Sequence, residues 1–155
     1  MIVTCLPVPA EAATIMELCA HAQVVKLRLG ILDDDGLQTL AYFVNLISRG
    51  AWARKNTEIH RLQQEAMEAL HDVKVKSIIR KGVVVDGVTI GRFIANAEQL
   101  EAIKCCIEPG GRFIRNQTRS AVAKWDMELL MFNRQMHKKG VEIGTVQDIQ
   151  RKGSK

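Results

Sequence analysis

Asp86-Gly87, set between Val83-Val84-Val85 and Val88-Thr89-Ile90, restricts what this chain can fold into more than any other stretch. A two-residue hairpin turn that matches the twist of paired strands needs positive φ at both central positions, and Asp-Gly meets that need at low steric cost. The pattern predicts a β-hairpin over 83–90. Helical periodicity stands on both sides of it. The chain therefore reads as α+β, with four to five helices and a small antiparallel sheet centred on that hairpin. Residues 1–149 form one globular domain in this reading, and 150–155 a basic flexible tail.

The remaining elements follow from spacing. Residues 1–6 read as an edge strand that pairs with the hairpin. Pro9 precedes a helix over 10–23, and 24–29 fit either helix or strand. Asp33-Asp34-Asp35 read as a helix N-terminus, where carboxylates meet free amides and the positive dipole end. They lack the ligand alternation and closing Glu of a calcium loop, so no metal is expected. A helix carrying Leu37, Leu40, Ala41, Val44 and Ile47 should stop at Arg49-Gly50, and a second should run to about Asp72. Asn45, Arg49 and Asn56 sit where a DNA-reading helix-turn-helix wants apolar packing, so the pair reads as a plain helical hairpin.

Lys74 to Lys81, basic and half alternating, reads as the strand leading into the hairpin, with a bulge at Gly82. Asn96 caps a short helix that Pro109-Gly110-Gly111 should end. Asn116 then caps a last long helix over about 117–138. Its seam of Val122, Trp125, Leu129, Phe132 and Met136 suits packing on one partner helix. The two helices of 34–72 and this last helix are expected to build most of the core. Residues 141–143 read as a final short strand.

Charge gives the strongest pointer to function. The net charge is +5, yet residues 110–155 hold ten basic and four acidic residues. That bias suits an acidic partner, nucleic acid above all. Gly91-Arg92-Phe93-Ile94-Ala95-Asn96 is echoed by Gly111-Arg112-Phe113-Ile114-Arg115-Asn116. In the second copy, Gly110-Gly111 would let amides approach a ligand while Arg112, Arg115 and Arg119 gather at a helix N-terminus. The expected anion- or nucleic-acid-binding set is Gly111, Arg112, Arg115, Arg119, Lys124, Lys74 and Lys76. The aromatic residues Trp52, Trp125 and Tyr42 are too sparse to suggest base-stacking platforms.

Other classes have less behind them. No run of apolar residues is long enough to cross a membrane, and the first residues lack the basic start of a secretion signal. Cys5, Cys19, Cys105 and Cys106 fit neither CxxC nor a zinc knuckle and read as reduced thiols in a cytoplasmic protein. His21, His60, His71 and His137 form no HExxH, and no serine stands in a nucleophile motif. No cofactor and no catalytic residue are expected. The sequence thus reads as a small basic nucleic-acid-binding or accessory protein. Two alternatives stand beside it: a protein-interaction module acting as a homodimer through the Trp125 seam or an edge strand, and a small enzyme or ligand binder with a phosphate site near 110–116.

Overall fold

A computed structural model describes residues 10–138. The strands expected over 1–6 and 141–143, and the tail, lie outside the described residues. Five helices and one hairpin follow in the order α1 (Ala10–Leu29), α2 (Asp34–Ala53), α3 (Thr57–Arg80), β1 (Val83–Val85), β2 (Val88–Ile90), α4 (Ala97–Arg115) and α5 (Arg119–Lys138). The fold is α+β, with a two-stranded antiparallel sheet.

Helix starts fall where the capping residues stand. Asp33 Oδ1 accepts from the Gly36 amide at 2.7 Å, with Asp34 and Asp35 in the first turn of α2. The aspartates therefore serve as a cap. Asn56 caps α3 through the Ile59 amide. Asn96 and Gln99 form a reciprocal capping box on α4, with bonds of 2.8 and 2.9 Å. Gln99 also donates to Asp72 at 2.6 Å, tying the start of α4 to α3.

In the turn, Asp86 and Gly87 have φ of 49° and 78°. This is the positive pair that the sequence requires. The register pairs Val83 with Ile90, Val84 with Thr89 and Val85 with Val88.

The core is organised around α2. Leu40, Val44, Leu46 and Ile47 are fully buried, and Phe43 nearly so. A helix this apolar on most sides needs neighbours on most sides. It has them in α1, α3, α4 and α5. Helix α4 also packs on α1 and α3, so it is more central than α5, which packs on α2. The expectation that the last helix shares most of the core with 34–72 is corrected accordingly. Its seam is used inside the chain. Trp125 and Leu129 are buried, the Gly50 face meets the Trp125 ring, and Arg49 pairs with Glu128 at 3.2 Å.

Residues 24–29, open to either helix or strand, are helical and complete α1. Other local expectations are overturned. Residues 74–80 are not a strand but the last two turns of α3. Val73 and Ser77 are buried one turn apart, and Lys76 pairs with Asp72 at 3.0 Å in the i, i+4 helical relation. The alternation arose because Val75, Ile78 and Ile79 are exposed apolar residues, so hydrophobicity there does not mark the buried face. Gly82 is not a bulge. With Lys81 it forms a left-handed stop, and a side chain at Gly82 would run into the Ile90 carbonyl.

The third correction is at Pro109-Gly110-Gly111, which does not end α4. The helix continues to Arg115 because Ile107, Gly110, Gly111 and Ile114 form one buried stripe. Packing overrides the propensity of the two glycines. Fourth, Asn116 is the C-cap of α4 and not the N-cap of α5. Thr118 takes the latter place, its hydroxyl accepting from the Ala121 amide at 3.2 Å.

Two outcomes test this packing. A Cβ at Gly110 would stand 2.4 Å from Ile47 Cδ1. Gly110→Ala should therefore destabilise by about 1–3 kcal/mol despite its better helix propensity. Ile47→Val in the same chain should recover part of that loss, as denaturant midpoints in a double-mutant cycle would show. Asp72 sits below its ordinary value of 3.8, first because Lys76 donates to it and next because Gln99 does. A depressed folded value means stability that is present above 3.8 and lost as pH falls through the folded value. Asp72→Asn should flatten that acid limb in unfolding curves taken across the acidic range, and an unchanged limb would assign it to other carboxylates.

Candidate nucleic-acid interface

The end of the molecule that gathers cations is where α2 and α4 finish and α3 and α5 begin. The chain turns there through two short connections, 54–56 and 116–118, so residues far apart in sequence become neighbours. Arg54 Nε donates to Gln117 Oε1 at 3.0 Å, and its guanidinium lies 5.7 Å from the centre of the Trp125 ring. The Phe113 and Trp125 rings stack beneath, 6.4 Å apart. Arg112, Arg119, Arg54 and Lys55 are all exposed here. The stretches 49–56 and 112–124 contain seven basic residues and no acidic one. Carboxylates brought from elsewhere meet some of these: Glu128 pairs with Arg49, and Glu17 with Arg115. The positive ends of the α3 and α5 dipoles face the same way, and the negative ends of α2 and α4 offset them, so the excess charge comes from side chains.

The expected set divides in this geometry. Arg112, in the last turn of α4, and Arg119, the first residue of α5, are both exposed at the basic end. Arg115 is there too, but it forms an ion pair with Glu17 of α1 in which it is the donor. Lys124 lies further along α5, about 140° around the helix from Arg119. Gly111 does not offer its amide to a ligand. It is buried inside α4, and a side chain there would collide with the Glu17 carboxylate. The Gly-rich phosphate corner is thus replaced by a helix–helix contact, because the helix never breaks. Lys74 and Lys76 belong to the far end of α3, about 25 Å along its axis from Thr57.

Sequence reasoning missed Trp52. It is 77% exposed, and its ring centre lies 6.0 Å from that of His60 on α3. The two rings, with Ala51, Lys55, Asn56 and Thr57, line a cleft of about 380 Å³. A signal existed. The α2 stripe through Val44 and Ile47 continues to Ala51, which leaves Trp52 about 100° off the buried face. Ending the helix at Gly50 concealed it.

A larger groove, about 560 Å³, opens at the other end of α2 beside Tyr42, Phe93 and Leu129. Its rim sets Asp34 and Asp35 against Lys74 and Arg92, with Arg92 bonded to Asp34 at 2.7 Å. Opposite charges cancel there, so size alone does not make it the polyanion site.

Among the described residues no group of three or more His, Cys, Asp or Glu could hold a metal ion, and no helix is long and apolar enough to cross a membrane. Burial pushes the Cys106 thiol up to about 12. Cys105 is raised because it donates to Glu101 at 3.3 Å. Neither is an activated nucleophile at neutral pH. Of Cys19, Cys105 and Cys106, native-state alkylation should modify exposed Cys19 first and spare Cys106 until the chain unfolds, which peptide mass mapping would show. Set against protein-family models, curated proteins and solved structures, the chain has no significant match in any of the three.

Proposed function

We propose that the chain binds single-stranded nucleic acid through its basic end. The observation that supports this best is the exposed Trp52 ring, set against the half-buried His60 and beside Lys55, at the end that also bears Arg54, Arg112 and Arg119. Backbone phosphates need cations spread over a surface, and unpaired bases need a flat ring on which to stack. A duplex offers no base faces, so the exposed tryptophan favours a single strand. Aromatic stacking is tolerant of base identity, which fits a surface without a shaped pocket for one nucleotide.

The interaction-module reading retains support from a different surface, the exposed aliphatic hairpin. The phosphate-site reading at 110–116 loses its basis with the helical placement of Gly110 and Gly111.

The test is fluorescence anisotropy with a labelled oligonucleotide at rising salt. With Arg54, Lys55, Arg112 and Arg119 engaged, log affinity should fall against log salt with a slope of about −3. Arg112→Glu with Arg119→Glu should remove measurable binding. Trp52→Ala should weaken it by about 1–3 kcal/mol while leaving the slope unchanged. Absence of binding at low salt would defeat the proposal.

A further inference from the structure

The hairpin is the other unusual surface, and its chemistry is unlike that of the basic end. Five of its six strand residues are exposed aliphatics: Val83, Val84, Val85, Val88 and Ile90, the least of them 42% exposed. Ile78 and Ile79, on the last turns of α3 beside it, are 72% and 84% exposed. The hairpin makes no substantial packing on any helix among the described residues. An isolated two-stranded hairpin is marginal in water, and an apolar edge left open is normally blunted by charge or covered. This hairpin has neither an interior charge nor a cover among those residues.

The register states which edge is open. The residues flanking a two-residue turn exchange both backbone bonds, so Val85 and Val88 bond each other, and Val83 bonds Ile90. Val84 and Thr89 form the intervening pair, so their amides and carbonyls point outward along the two free edges. The β2 edge is approached by α1 at its base, where the Gly91 amide donates to the Gly30 carbonyl at 2.8 Å. The β1 edge, centred on Val84, is the unoccupied one among the described residues.

We infer that a second copy of this chain occupies the β1 edge, pairing antiparallel about a two-fold axis through Val84. Each Val84 then donates its amide to the partner's Val84 carbonyl, and two hairpins become one four-stranded sheet. An isologous contact of this kind requires self-complementarity, and the sequence around Val84 has it. The extended register covers Val83–Val85, so residue 83 falls opposite the partner's 85 and 85 opposite its 83. Val83 therefore lies beside the partner's Val85, extending the aliphatic face. Because the two strands run antiparallel, the entry end of each β1, which carries Lys81, lies beside the turn end of the other, which carries Asp86. The contact has opposite charges at both ends, one Lys81–Asp86 pair each. Lys81 and Asp86 form no ion pair with other described residues, so both are available for it. This surface and the basic end are independent: either assignment can fail without the other.

Sedimentation velocity across the micromolar range tests it. The wild-type chain should move from 17.3 kDa toward twice that mass as concentration rises. Val84→Pro, which deletes the bonding amide, should weaken dimerisation by tenfold or more, on the order expected for two lost backbone bonds. Lys81→Glu and Asp86→Lys should each be monomeric alone, because each sets like charges at both ends. Mixed in equal amounts, they should form a heterodimer, since each mutated position then meets its opposite. Circular dichroism of each variant must match wild type. A wild-type chain monomeric throughout, a Val84→Pro dimer as tight as wild type, or charge variants that do not recover on mixing would overturn the inference. The second outcome would place the contact elsewhere, such as the Met127–Leu130–Met131 face of α5.

Discussion

The close approach of α4 to α2 and α1 is the contact on which the other features depend. Gly50 lies under the Phe113 and Trp125 rings, Gly110 under Ile47, and Gly111 under Glu17. Each glycine removes a side chain where two helices would otherwise be held apart. The gain is denser packing between three helices, and dispersion contacts fall off steeply with small gaps. The cost is a proline and two glycines within one helix, which would leave α4 weak in isolation. Helix α4 is therefore a tertiary helix, made by its neighbours. Its continuation to Arg115 carries Arg112 to the end of α2, which is what gathers Arg112 with Arg54.

The same contact explains why Glu17 is partly buried. Facing the bare backbone of Gly111, the carboxylate reaches Arg115, with His21 3.8 Å away on the other side. A carboxylate removed from water needs a partner, and the arginine one turn beyond Gly111 supplies it. Arg115 thus works for the fold, while Arg112, one turn earlier and exposed, is left for solvent or a ligand. Two arginines three positions apart on one helix have different roles because they point to different sides.

Much of the fold was legible in the sequence where a local rule had nothing to compete with. Asp86-Gly87 determines its own backbone, and the hairpin has the expected place. The caps Asp33 and Asn96 act within three residues, so a short window suffices to find them. The failures share a cause: each involved a contact with a distant segment. Gly110-Gly111 reads as a break unless Ile47 and Glu17 are known to lie against it. Val75, Ile78 and Ile79 read as strand because apolar residues usually mark a buried face, and here they are exposed. Asn116 and Thr118 both suit a cap, and only the run of α4 decides between them. For the candidate interface, a basic C-terminal third shows in composition, which is how Arg112 and Arg119 stand out before their exposure is known. Trp52 was lost to a helix boundary set three residues early.

The two tryptophans occupy opposite environments. Trp52 stands in water at the tip of the basic end, and Trp125 is 4% exposed beneath Arg54. They are the only two in the chain. The protein therefore carries two indole fluorophores in unlike spectral settings. Trp125 should emit to the blue, as an indole in an apolar wall does, and Trp52 to the red. Light absorbed by one reports on the packing of α5 against α2. Light absorbed by the other reports on whatever arrives at the surface, so folding and occupancy can be read separately from an unlabelled chain.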